Sequence, residues 1–192
     1  MGSFNETEFI IRLKRKEESA FRELVDGWKD KVYNTALGLL QHAEDAEDLS
    51  QEVFIAAWNA IDGFRADASI GTWLYRMTVN RSLDLIRKKT RRNRLEFIRS
   101  FWAGGGKEEK EGPDFYHPGV ALENKQDAAI LFKAIRQLPE KQMVVFSLQK
   151  LEGLGNEQIA LILQTTIGAV ESLEQRAKAN LRKKLNEYFE NK

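Results

Sequence analysis

The chain contains no cysteine, which removes disulfides, thiolate metal sites and thiol nucleophiles at once. It has only three prolines in 192 residues, so few positions interrupt a helix on steric grounds. The two histidines, His42 and His117, stand without neighbours that suggest a catalytic triad or a metal site. Gly104-Gly105-Gly106 has neither a flanking strand pattern nor the lysine-serine ending of a phosphate-cradling loop. No stretch approaches the roughly 18 uninterrupted apolar residues of a membrane span. The opening MGSFNETEF lacks both the basic start and the apolar run of a secretory signal. These absences lead to the expectation of a cytoplasmic protein, not inserted in a membrane, that is not an enzyme and uses no cofactor and no metal.

What is present is helical pattern and segregated charge. Hydrophobic residues make up 42% and charged residues 31%. Phe21, Leu24, Trp28, Val32, Ala36 and Leu40 recur at steps of three and four, which puts them on one face of a helix. Ala46, Leu49, Val53, Ala57 and Ile61 repeat the pattern over a second helix from about Ala43. The segment from Asp62 to Gly71 breaks periodicity and reads as a loop. A third helix is expected from near Thr72, burying Tyr75, Val79, Leu83 and Ile86, and a short one near Phe9 to Leu13 completes an N-terminal bundle. From about Asn93 to Leu122 the pattern dissolves into glycine, proline and charge, as in a linker whose reach is roughly 30 Å. Periodicity resumes at Ala128. Helices follow before Pro139, across Lys141 to Leu151, and over Glu157 to Leu163 with Asn156 as its cap. A last long helix begins near Ile167. The expected fold is all-α: two small helical domains, 1–92 and 125–192, joined by a flexible linker over 93–124.

The net charge of +1 conceals two basic segments and one acidic one. Arg87 to Arg94 and Arg176 to Lys184 are basic; Glu44 to Glu52 is acidic. Asp45, Asp48 and Glu52, with Gln51 alongside, share a helical face. That face suits a solvated surface, a chelate for an oxygen-seeking cation, or a docking surface for a basic partner. Trp73, Met77, Asn80, Asp84 and Arg87 form a polar-aromatic stripe, able to stack on a base and pair with phosphate if exposed; Trp73 could equally be core. Ile159, Ala160 and Leu163, a turn, then Ile167, Val170 and Leu173 fit a helix-turn-helix, whose second helix enters the DNA major groove. An ordinary helical hairpin has the same spacing. Phe97, Phe101, Trp102, Phe115 and Tyr116 in the linker are either docking points or residues that pack back on the first domain.

Taken together, Asp45-Ala46-Glu47-Asp48-Leu49-Ser50-Gln51-Glu52-Val53-Phe54-Ile55-Ala56-Ala57-Trp58, Phe64, Thr72-Trp73-Leu74-Tyr75-Arg76, Asn80, Asp84 and Arg87 resemble the sigma-70 family, in its compact extracytoplasmic-function group. The second half adds Leu138-Pro139-Glu140, Gly153, Glu157-Gln158-Ile159-Ala160, Gly168-Ala169-Val170, Arg176-Ala177-Lys178 and Leu181-Arg182. The resemblance implies a protein that binds core RNA polymerase and recognises promoter DNA at the −10 and −35 elements. It implies docking on the clamp helices of the largest polymerase subunit through Asp45, Asp48, Gln51 and Glu52, with Phe54 and Trp58 structural. At the −10 element it points to Phe64, Trp73, Tyr75, Asn80 and Arg87. At the −35 element it points to Thr166, Glu171, Ser172, Gln175, Arg176 and Lys178. The resemblance leaves room for an anti-sigma factor as a further partner. Glu171 and Leu173 depart from the basic residues common there, and Glu174 adds a second acid close to where phosphate would lie. The competing readings are a helix-turn-helix regulator that works without polymerase, and a decoy that binds polymerase without using DNA.

Overall fold

The computed structural model describes residues 5–102 and 125–190. Among these residues the secondary structure is helical throughout: α1 (Glu6–Lys14), α2 (Glu18–Leu40), α3 (Ala43–Ala60), α4 (Ile70–Trp102), α5 (Lys125–Arg136), α6 (Glu140–Lys150), α7 (Asn156–Leu163) and α8 (Ile167–Glu190). One 3-10 turn, Ile61–Gly63, follows α3.

The first half is built by α1 to α4. The four inward positions expected on α3 (Ala46, Leu49, Val53 and Ala57) are buried, and so is Ile61, which opens the 3-10 turn after it. On α2, Leu24, Val32, Ala36 and Leu40 are buried, while Phe21 and Trp28 are half-buried at the margin. Each fully buried leucine or isoleucine contributes roughly 1.5–3 kcal/mol, so this face holds the bundle together. The α2–α3 corner turns on Gln41, whose left-handed φ of 51° ends α2.

Three local expectations need correction. Helix α4 begins at Ile70 rather than near Thr72, because Ser69 caps it: its Oγ accepts the Thr72 N–H at 3.1 Å. It also continues as helix to Trp102, beyond the point where apolar periodicity fades. Asn156 is the first residue of α7, not its cap; Gly155 takes the cap position. The Asn156 side chain is drawn instead to α6, accepting from Gln149 Nε2 at 3.0 Å, and Gln158 Oε1 reaches back to the Gly155 N–H. The expected role for the aromatic residues between 97 and 116 falls on side chains outside the described residues.

The second half packs α5 to α8 around Phe132, Ile135, Leu148, Ile159, Val170 and Ala177. Ala160 is 6% exposed at the α7–α8 crossing, where a small side chain lets the helices approach. Gln164, at φ 51°, ends α7, and Thr166 caps α8 by accepting the Ala169 N–H on Oγ1 at 3.2 Å. That is helix-turn-helix geometry. Leu163 and Leu173 are half-buried, Ile162 is fully buried, and Ile167 lies 43% exposed at the start of α8.

Candidate nucleic-acid interface

The acidic face of α3 is presented outward, but its carboxylates do not converge. Asp48, Gln51 and Glu52 are exposed, whereas Asp45 is half-buried and ion-paired with Lys89 of α4. His42 caps the helix, its Nδ1 accepting the Asp45 N–H at 3.3 Å. Glu52 is reached by Arg81 at 3.4 Å. Two carboxylates thus go to two different cations, which is not a chelating arrangement, and among the described residues no group of three or more potential ligands gathers. Beside this face lies a residue to which the sequence reading gave no role. Ile55 is 61% exposed and lines a shallow groove with Glu52, Ala56, Asn59 and Arg81. The signal was available: Ile55 falls three residues after Glu52 and four after Gln51, an apolar side chain on the polar face.

Helix α4 sorts its stripe by depth. Asn80, Asp84 and Arg87 are exposed, and Trp73 and Met77 are half-buried. Phe64 is buried at 7% exposure with its ring 5.0 Å from that of Trp73. Its carbonyl accepts from Lys14 Nζ at 2.8 Å. Phe64 and Trp73 therefore form an aromatic pair that closes the loop onto α4. Phe54 is buried and Trp58 sits half-buried 4.7 Å from Phe21, consistent with structural roles. Gly71 is needed for close approach: a Cβ there would meet Trp28 Cη2 at 2.0 Å.

Tyr75 lies elsewhere. It is 8% exposed, edge-on to Trp28 at 5.8 Å, and buried in the core of the second half with Leu39 and Val79. Polar contacts frame this seam between the halves. Gln41 Nε2 donates to the Phe132 carbonyl at 3.0 Å, and Arg136 to that of Leu40 at 3.4 Å. Arg76 donates twice to the Leu161 carbonyl of α7, at 3.1 and 2.6 Å. Arg87 and Glu140 pair at 2.6 Å, which raises the guanidinium pKa and lowers that of the carboxyl through their hydrogen bonds. Arg76 and Glu140 were missed as partners because only the tertiary fold sets them opposite their contacts.

On α8, Glu171, Gln175, Arg176 and Lys178 are exposed, as is Thr166 at its cap; Ser172 is half-buried. Glu174 does not face outward as a free acid. It pairs with Lys178 at 2.5 Å and its side chain is only 14% exposed; hydrogen bonds from Lys178 and then Gln149 hold its pKa below the usual range. The acidic character expected near the start of α8 thus rests on Glu171.

An outward acidic helix, a stripe with Asn80, Asp84 and Arg87 exposed, and a helix-turn-helix now stand in order on one chain. Residues 24–92 match the family model of Sigma-70 region 2, and residues 128–181 match that of Sigma-70, region 4. The ECF RNA polymerase sigma factor SigW of Bacillus subtilis (strain 168) is 31% identical over 178 residues, covering 93% of this chain and 95% of that protein. The chain belongs to the sigma-70 family. The ECF RNA polymerase sigma-E factor of Escherichia coli (strain K12) is 30% identical, with 85% of each chain covered. Among solved structures, the sigma factor RpoE of Bartonella quintana, in complex with the anti-sigma factor NepR, matches with a TM-score of 0.63 at 25% identity, covering 86% of this chain and 96% of that one. CnrH in complex with the cytosolic domain of CnrY shares the fold, with a TM-score of 0.66 at 23% identity over 94% of this chain and 97% of that one. The protein is an ECF-type sigma factor, a transcription initiation factor and not an enzyme. A regulator that works without polymerase would have no use for the region 2 that this chain carries.

Proposed function

We propose that this sigma factor divides its work between residues 1–92, which bind core polymerase and the −10 element, and residues 125–192, which bind the −35 element, with 93–124 as the connection. The core-binding face is Asp45, Asp48, Gln51 and Glu52 of α3, extended by the exposed Ile55. At the −10 element Asn80 hydrogen-bonds an extruded base and Arg87 takes a phosphate, while Phe64 and Trp73 shape the wall of the base pocket and Tyr75 joins it once uncovered. Extrusion costs a few kcal/mol, which stacking and hydrogen bonds in such a pocket offset. At the −35 element Thr166, Glu171, Ser172, Gln175, Arg176 and Lys178 line the start and middle of α8. Glu171 suits a cytosine amino group and opposes phosphate.

The observation that carries the reading is the outward display, on one chain, of the α3 acidic face together with the exposed polar positions of α4 and α8. A cytoplasmic location follows from work on polymerase; among the described residues no helix is long and apolar enough to cross a membrane. By analogy with the NepR complex of RpoE, an anti-sigma partner belongs to the same reading.

Run-off transcription with purified core polymerase and a library of promoter-region DNA tests it. Transcripts that depend on the added chain are the expected result and give the promoter sequence. Tight core binding without transcripts would favour a decoy, and absence of core binding would overturn the assignment of α3.

A further inference from the structure

The seam between the halves engages two side chains that the reading above assigns to DNA, Tyr75 and Arg87, and the Arg76 that lies beside Tyr75 on α4. Arg87 cannot chelate Glu140 and a phosphate at once, Arg76 is turned into the Leu161 carbonyl, and the Tyr75 ring is covered. At the heart of the seam lies Glu152, just past the end of α6. Its Oε1 is buried without a close hydrogen-bond partner, as is Ser147 Oγ on α6, and both residues line one small cavity with Thr35 of α2. Buried polar atoms left unpaired weaken a packed contact. The seam therefore combines an apolar core with a polar fault.

Resting on the sigma-factor reading of α4, we propose that this seam is a proton-responsive latch, which when closed holds Tyr75 and Arg87 away from nucleic acid and whose readiness to open is set by Glu152.

The titratable and charged groups facing Glu152 are Tyr75 from α4 and Lys31 from α2, with the Thr35 hydroxyl beside them. Lys31 is shared, its ammonium lying 4.5 Å above the Trp28 ring. Burial dominates over these groups and pushes the carboxyl up to about 7, from an ordinary 4.5. The same burial, with the Glu152 charge, raises the Tyr75 phenol. Opening the seam hydrates Glu152 and returns it to the ordinary range. Closure therefore carries no ionisation penalty below that range, weakens as pH rises from there towards about 7, and is weakest above it. Each unit of difference corresponds to about tenfold in the closed-to-open ratio. Acid favours the closed chain and mild alkali the open one.

The absence of cysteine makes the test direct. Arg22→Cys on α2 and Ala179→Cys on α8 are exposed positions outside the proposed contacts, and a donor and acceptor dye placed there report the separation of the halves. In the full chain, energy transfer is expected to fall between pH 5.5 and 8, with the closed-to-open ratio dropping about tenfold or more. Glu152→Gln should hold transfer high and flat across that range. Glu140→Gln should lower it at every pH, and saturating core polymerase at pH 7.5 should lower it in the unsubstituted background. Transfer that is independent of pH, or a pH profile unchanged by Glu152→Gln, would overturn the proton response. Unchanged transfer despite core binding verified by co-elution would overturn the latch. Loss of core binding itself would overturn the sigma reading instead, and the pH titration of the free chain would still decide the latch.

Discussion

Arg87 and Glu140, separated by 53 positions in sequence, meet at 2.6 Å and tie α4 of the first half to α6 of the second. Both side chains are about half exposed, so the pair is screened by water and salt and contributes little to stability. Its importance is positional, because the guanidinium it holds is the one proposed to meet promoter phosphate. Arg87→Ala and Glu140→Gln should therefore leave thermal midpoints nearly unchanged yet differ in function. Arg87→Ala lowers promoter opening, while Glu140→Gln does not. Permanganate footprinting of the −10 region with each variant checks this, and equal losses would show that the pair itself, not Arg87, matters.

Glycines on two helices should behave in opposite ways. Gly71→Ala drives a methyl into the Trp28 ring, and overpacking of this kind costs about 1–3 kcal/mol. Gly27→Ala, inside α2 with open space around it, should stabilise by roughly 0.5–1 kcal/mol through helix propensity. Urea unfolding measures both, and a neutral Gly71→Ala would refute the close approach at Trp28.

Charge reversal at Asp48 and Glu52 should weaken core polymerase binding without unfolding the chain, since both side chains are exposed. Asn80→Ala should spare core binding and impair opening. Surface plasmon resonance with core polymerase separates the two: undiminished affinity in the reversal variant would remove α3 from the docking site, and normal opening by Asn80→Ala would remove Asn80 from the −10 site.

Arg176→Ala should weaken −35 binding almost uniformly across sequences and reduce the salt slope by about one. Glu171→Gln should instead change which base is preferred, by about 1–3 kcal/mol at one position. Competition binding on a set of −35 variants in polymerase complexes distinguishes them, and a sequence-independent effect of Glu171→Gln would place that side chain on the backbone rather than on a base.

Much of this protein is determined by local rules. The period of Ala46, Leu49, Val53, Ala57 and Ile61 permits only one buried face of α3, and that face is buried in full. Periodicity likewise placed α2, α6 and the α7–turn–α8 unit, because one residue in three or four must be apolar for a helix to pack. Motif order along the chain was enough to name the family. The ends of helices were less legible, since α4 starts at Ile70 rather than near Thr72 and Gly155 rather than Asn156 caps α7, through hydrogen bonds that spacing does not reveal. What only the tertiary structure decided is how the halves meet. Periodicity marks Tyr75 as apolar-facing but cannot say that the face belongs to the second half. Charge patterning marks Glu174 as acidic but cannot show Lys178 and Gln149 turning it inward. Glu152 reads as a turn residue in the sequence; desolvation, which depends on every atom packed around it, sets this half-buried residue's carboxyl apart at the seam.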